Sequence, residues 1–507
     1  HEIQCVRKKG KGVVSMGKKQ RTKKQTDWQM TRSERVWYYV GDTGRLFAST
    51  LVTSYMTIFL MFQGISISAV AGAILLVKII DSVDDVIFGF FVDKIKITEW
   101  KWTKKLAGEG KYMPWYRLLF WTFPVAVILF FLMPYDMPDA FKIGWFFVTY
   151  LLFDLTCTLS EVPMQSIVMT LTESPTERNS ILTVKGVITV IAAVGLAAVV
   201  SFLLSESVGV SITTIGIVGA LIFLLMMIPM VFKVKEHNVE LKNVKEEGSQ
   251  EKYTFKDMIQ CVFANKYIFI FFLAMLISTI LTTRLAVETF IGFYIFNDSM
   301  VFTYVMLIGF VPGLVLSGLC GRMANKVGKR NLLGIILILM TVSSLIIYLF
   351  GRGNKMLFIG VGGICAIPNA LMAVAKTYIA PDTIEYTRYK TGKDCSGIFY
   401  SLQSFINKAT TGIASSLALA ILAAFGWVEV QGESFADLAA QGVTQSETAL
   451  NALWNVGYLI PMIGTLIAAI LMFGFYNLKD KDAELMGKCN AGLITREECE
   501  TQLSRKY

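Results

Sequence analysis

The sequence predicts an all-α membrane protein of twelve transmembrane helices arranged as two bundles of six, and three observations carry that prediction. Of 507 residues, 54% are hydrophobic and 17% charged, whereas a soluble globular chain carries about 25% charged residues. The apolar residues fall in long blocks, each near the length of about 20 residues that crosses a bilayer as a helix. One polar stretch rich in Lys and Glu, 233–266, divides these blocks six and six. Disorder is excluded, because 35 Phe, 19 Tyr and 9 Trp are too many apolar rings for a solvated coil.

In chain order the spans run 36–63, 67–93, 114–134, 141–171, 181–205, 209–232, 267–296, 299–323, 331–350, 355–380, 395–426 and 452–477. The resulting organisation is a basic N-terminal arm at 1–35, a first bundle at 36–232, a linker at 233–266, a second bundle at 267–477 and a tail at 478–507. Lys and Arg collect in the connections after spans 2, 6, 8 and 10, with Lys94, Lys104, Lys233, Lys326, Arg330, Arg388 and Lys393 among them. The opposite connections carry Lys142, Arg352 and Lys355 and an acidic final loop at 427–450. By the positive-inside rule both termini face the cytoplasm, and the net charge of +10 reflects topology rather than nucleic-acid binding.

The arm at 1–30 is basic and has no apolar core, so it does not read as a signal peptide. It reads as a solvated cytoplasmic segment, with binding to anionic lipid as a weaker alternative. Met16-Gly17 is a possible native start. The eight cysteines include no CxxC pair, and with only two histidines neither a zinc site nor a disulfide framework is indicated. A weak repeat, Gly89-Phe-Phe-Val-Asp93-Lys94 after span 2 and Gly318-Leu-Cys-Gly-Arg322 after span 8, suggests two parallel halves with binding at their interface.

Function is read from charges placed where they are costly, about 2.5–3.5 kcal/mol each at mid-bilayer. Span 2 holds Lys78, Asp81, Asp84 and Asp85 in VKIIDSVDDVIFGFF. Asp81 and Asp85 are i, i+4 and share a helix face, with Asp84 beside them. Clustered carboxylates suit a hard cation such as Na⁺ or, through crowding, proton uptake. A structural ion-pair network is the competing reading. Span 4 adds Thr158 and Glu161 (i, i+3) and Pro163, which frees a backbone carbonyl. Asp81, Asp85, Thr158 and Glu161 thus form a candidate Na⁺ set. Lys408, in the span 11 run GIFYSLQSFINKATTG, needs a carboxylate that span 2 could supply, which would couple ion binding to conformation, with Lys78 as its counterpart. Arg45 and Lys185 could each donate to a polar solute or anchor a helix end. Arg284 and Glu288 are i, i+4 and read as a mutual structural pair.

Four separated segments, DSVDDVIFGFFVDK, the Ser-Glu-Val-Pro of span 4, TESPTERNSILTVK and YSLQSFINK, resemble those of the glycoside–pentoside–hexuronide:cation symporters, and the likeness covers nearly all of 36–480. The GxxxD[RK] pattern after span 2 is similar to the loop signature of the major facilitator superfamily. The resemblance implies a major facilitator fold and sugar uptake driven by Na⁺, Li⁺ or H⁺. By motif position it places Asp81, Asp85, Thr158 and Glu161 in the cation site, with Asp84 where melibiose permease-like members have asparagine. Lys408 matches the family's span 11 lysine, and Lys185 stands where an arginine is usual. Leu46 replaces the span 1 aspartate that holds a galactosyl group, and Met164 and Gln165 replace the aromatic after the span 4 proline, so a galactoside is not the expected solute. The regulatory domain that some relatives carry after span 12 is expected to be absent.

The expected protein is therefore a non-enzymatic secondary transporter in the cell membrane that moves a sugar or glycoside with Na⁺ or H⁺ by alternating access. Its cation set is Asp81, Asp84, Asp85, Thr158 and Glu161, its coupling residues are Lys408 and Lys78, and its solute residues are Arg45, Lys185, Gln403 and Gln165. Beyond the transported ion no cofactor is expected. The expected partners are the solute and membrane lipid, with no nucleic acid and no obligate protein. A carrier of lysolipid or another amphiphile, and a solute sensor that does not transport, are the alternatives.

Overall fold

The computed structural model describes residues 28–94, 112–172, 174–237, 265–392 and 396–505, with the side chains of 82–94, 162, 163, 165, 166, 169, 175, 396–398, 400–402, 404 and 405 outside that description. Among the described residues eleven helical stretches are long and apolar enough to cross a membrane. The 28-residue helix Ile67–Lys94, about 42 Å at 1.5 Å per residue, is a twelfth of sufficient length. Large apolar side chains stand exposed along the outer faces, Val148 at 70%, Leu225 at 66% and Val311 at 61% among them, as a lipid-facing belt requires. This is a multi-pass membrane protein.

Local chemistry fixes the helix ends. Span 1, Arg32–Phe62, begins with a capping box in which Thr31 accepts from Glu34 N and Glu34 Oε2 accepts from Thr31 N at 2.8 Å, satisfying two orphan donors reciprocally. It runs against span 6, Ile212–Lys233, through Gly41 and Gly44. A Cβ at Gly41 would lie 2.6 Å from Met230 Cβ, and one at Gly44 would lie 2.9 Å from Met226 Cβ, so only glycine lets the two helices approach this closely. Span 3 is divided at Phe120–Trp121 into Met113–Leu119 and Thr122–Phe131; span 4 is Asp139–Ser166 with a short continuation at Val168–Leu171, and span 5 is Pro175–Leu204.

In the second half, span 7 breaks at 281–283 into Lys266–Ile280 and Arg284–Phe296. Spans 8, 9 and 11 are Val301–Val327, Lys329–Phe350 and Ser396–Ala424. Span 10, Lys355–Thr391, runs past the expected end near 380, through Pro381, to a stop at Gly392 with φ 72°. Span 12 comprises Glu447–Trp454, a π turn at Asn455–Leu459 and Ile460–Gly474. Helices pack mainly within each six-span half. Span 2 lies along span 11, and span 5 touches span 8, so these pairs form the seam.

The two faces of the bundle differ. On the face carrying the connections 63–66, 205–211 and 427–446, here the loop face, the halves are joined. Ser299 donates through N and Oγ to Glu206 at 2.9 and 2.7 Å. The acidic loop at 427–450 folds over the seam as a strap. Its Gly432 N donates to Phe62 O at 3.0 Å, and Glu433 O accepts from Ile212 N at 2.8 Å. Its short helix Phe435–Gln441 is capped by Ser434 and buries Phe435 and Leu438, each 1% exposed.

On the opposite, terminal face the following ties among the described residues run within each half. Buried Glu177, within the TESPTERNSILTVK segment, accepts from Gln29 N at 2.9 Å, Met30 N at 3.2 Å and Thr172 Oγ1 at 2.7 Å, so that segment fastens the chain's entry to the span 4–5 turn. The tail is folded too, as helices Asp480–Asn490 and Arg496–Gln502. Asp480 Oδ2 accepts from Lys329 N at 2.8 Å at the start of span 9, where a helix N-terminus favours a carboxylate. Asn490 Nδ2 donates to Glu385 O at 2.9 Å on span 10. That brace explains the extra length of span 10.

Candidate functional site

The seam is built around Asp81. This carboxylate is 4% exposed and both its oxygens are engaged: Lys78 Nζ donates to Oδ2 at 2.9 Å, and Lys408 Nζ, from the other half, donates to Oδ1 at 3.2 Å. Tyr150 on span 4 accepts a short hydrogen bond from Lys78 Nζ and donates to Asp81 Oδ2 at 3.4 Å. Spans 2, 4 and 11 thus meet on one acid. Helical spacing explains the arrangement, since Lys78 and Asp81 are i, i+3 and turn inward together, while Leu76, Ile79 and Ile80 of the same helix are exposed.

Gly412, one turn beyond Lys408, lies close against Lys78 of span 2, and a Cβ there would collide with Lys78 Cβ. Gly412→Val is therefore expected to push the two helices apart at an overpacking cost of about 1–3 kcal/mol. Thermal unfolding in detergent tests this, and a melting temperature equal to wild type would show that the seam has room to spare.

A second charged cluster sits between spans 1 and 5. Asp42 is flanked by Arg45 Nε at 3.5 Å and Lys185 Nζ at 3.1 Å, and Lys185 also reaches Tyr38 OH at 3.5 Å. Arg45, 8% exposed, lies within electrostatic reach of Glu161. The two clusters are connected along span 4, where Tyr150, Asp154, Cys157 or Thr158, and Glu161 follow at steps of three to four residues and so share one stripe. Thr158 is buried and Glu161 half-buried on it. Tyr150 stands at the Asp81 end and Glu161 at the Arg45 end, about 16 Å along the helix.

Of the residues singled out from sequence, the structure brings Asp81, Lys78 and Lys408 into one contact group, and sets Arg45 and Lys185 on a common acid. The side chains of Asp84, Asp85 and Gln165 lie outside the described residues. Gln403 is placed on the wall of a cavity of about 150 Å³ between spans 7, 9, 10 and 11, with Thr279, Thr282, Asn369, Lys376 and Asn407 as other polar members. Arg284 and Glu288 form the i, i+4 pair at 3.6 Å, and Arg284 borders a smaller adjoining cavity.

Sequence reasoning passed over Asp42, Tyr38, Tyr150 and Lys376. Tyr150 could have been found as the residue one turn before Asp154 on the face that carries Thr158. Asp42 was visible in Gly41-Asp42-Thr43-Gly44 as the acid nearest Arg45, and Lys376 as a lone cation in LMAVAKTYIA.

Comparison with known proteins gives a consistent picture. Residues 37–480 match the family model described as MFS/sugar transport protein. An uncharacterized symporter of Bacillus subtilis (strain 168), YnaJ, is 27% identical over 469 residues, covering 88% of this chain and 92% of the relative. A glucuronide carrier protein homolog of Escherichia coli (strain K12) is 25% identical over 463 residues, covering 88% and 92%. Among solved structures, the nucleoside transporter NupG superposes with a TM-score of 0.58 at 13% identity, over 88% of this chain and 99% of that one. At that identity the likeness speaks for the fold alone.

Proposed function

We propose, from the premise that this chain belongs to the MFS/sugar transport protein family, that it carries a sugar or glycoside across the cell membrane together with Na⁺ or H⁺, by alternating access between two six-helix halves. The observation that carries this reading is Asp81 with its two oxygens occupied by Lys78 and Lys408, one ammonium from each side of the seam. Two cations on one acid leave that acid in demand. A cation reaching Asp81 by way of the other candidate oxygens, those of Asp84, Asp85, Thr158 and the more distant Glu161, competes with Lys408 for it and loosens the bond between spans 2 and 11. Solute binding near Arg45, Lys185, Gln165 and Gln403 then sets which closure follows.

The basic connections support a cytoplasmic position for the terminal face. A loop face sealed by the strap and by Glu206–Ser299 then corresponds to a carrier closed to the outside. Relatives described as a symporter and a glucuronide carrier support both the coupling and the sugar class. The test is solute uptake into proteoliposomes under imposed Na⁺ or H⁺ gradients, with a panel of labelled glycosides, pentoses and uronic acids. Uphill accumulation driven by one of the two gradients is expected. Equilibration that ignores both gradients would overturn cation coupling.

A further inference from the structure

We infer that the cavity between spans 7, 9, 10 and 11 is an anion subsite, in which Lys376 receives a carboxylate or sulfonate carried by the transported sugar. The inference rests on the sugar-transport reading above and names the substrate class within it. The cavity is lined by two amides from span 11, Gln403 and Asn407, by Asn369 of span 10 and by hydroxyls of span 7 such as Thr279 and Thr282. These groups suit ring hydroxyls, each being able to donate, accept or both. Asn369, Met372 and Lys376 are i, i+3 and i+7, so one stripe of span 10 faces the space.

Among the described residues Lys376 is the one charged residue on that wall, and no Asp or Glu lines the cavity. Among the described residues no hydrogen bond or ion pair engages its ammonium, whereas Lys78, Lys185, Lys329, Lys355 and Lys408 each hold an acid. The next acid along the same helix, Asp382, is already taken by Lys329 at 2.6 Å. A half-buried ammonium inside a membrane helix is costly unless something pairs with it, and here the open side is the cavity. The surroundings repel a coupling cation and attract an anion. Span 11 forms the common wall, with Gln403 and Asn407 on the cavity side and Lys408 on Asp81, so an occupied subsite bears on the helix that holds the coupling lysine.

The experiment compares D-glucuronate, 6-deoxy-6-sulfo-D-glucose and neutral D-glucose in the proteoliposome assay, using the full chain and the variants Lys376→Gln and Lys376→Arg. Wild type is expected to prefer one of the two anionic sugars over glucose, the pair separating carboxylate from sulfonate. Lys376→Gln should lower that preference ratio roughly 10- to 100-fold, the worth of one charge-assisted hydrogen bond, and Lys376→Arg should retain most of it. A wild type that prefers glucose, or a preference ratio unchanged in Lys376→Gln, overturns the anion subsite while leaving sugar transport standing. Failure of wild type to move any of the three under either gradient overturns the sugar-transport reading for this solute class and the subsite with it.

Discussion

Asp81→Asn is expected to abolish cation-coupled uptake and to cost about 3 kcal/mol of stability, the lower end of what breaking a buried ion pair costs. Both lysines lose the carboxylate they share. The figure stays at the lower end because Lys78 keeps Tyr150 and the Lys408 side chain is 35% exposed, enough for water to reach it. Lys408→Gln should behave differently. Removing one of two like charges leaves the Lys78–Asp81 pair intact at 2.9 Å, so the fold should change by less than about 1 kcal/mol while coupling is lost. Thermal unfolding beside gradient-driven uptake separates the two variants. Equal loss of stability in both would mean that the seam depends on Lys408 for folding rather than for coupling.

Phe435→Ala is the second large effect. Its ring lies 5.2 Å from Phe62 of span 1, 5.7 Å from Phe290 and 5.2 Å from Phe293 of span 7, so one side chain of the strap holds both halves together at the loop face. Truncating a buried phenylalanine costs about 3–5 kcal/mol, and the share of that loss carried by the Phe62 contact falls on the closed state. Spin labels at positions 208 and 300, on the two sides of the Glu206–Ser299 contact, should report a longer and broader distance distribution in the variant than in wild type. An unchanged distribution would show that the Glu206–Ser299 contact and the strap's backbone bonds to Phe62 and Ile212 close the face without the ring.

The spans were legible because a bilayer demands about 20 apolar residues in a row, and that demand is written locally. Breaks within spans were not, because the segments around 120–121 and 455–459 stay largely apolar, and the break at 281–283, beside Arg284, falls inside an otherwise apolar run. Span 10 was read short for the opposite reason: Pro381 and the charges after it look like an ending, while the tail helix that lets the span continue lies a hundred residues downstream. The acids of the final loop are plain in the sequence, and its folding as a strap is not. Phe435 and Leu438, three apart on a short helix, carry its anchoring, and two apolar residues in an acidic loop are a faint signal.

Within the site, the costly charges identified themselves, since Lys78, Asp81 and Lys408 stand out against apolar surroundings. Their partners did not. Tyr150 is unremarkable in FFVTYLLFDL, and only the fold turns it toward Asp81. Lys376 illustrates the same limit, for its interest lies in the acids that are not beside it, a property of the assembled cavity.

The folded tail has a practical consequence for watching this protein work. Because Asp480 and Asn490 are fastened to the ends of spans 9 and 10, a reporter placed beyond them rides with the second half as a rigid handle. The native Cys499 is a poor attachment point, being fully buried, with its thiol pKa raised by that burial. A cysteine introduced at exposed Glu497 gives a fluorophore access without disturbing the cavity. Paired with a second dye on the first half, it converts each turnover into an optical signal read from outside the transport path.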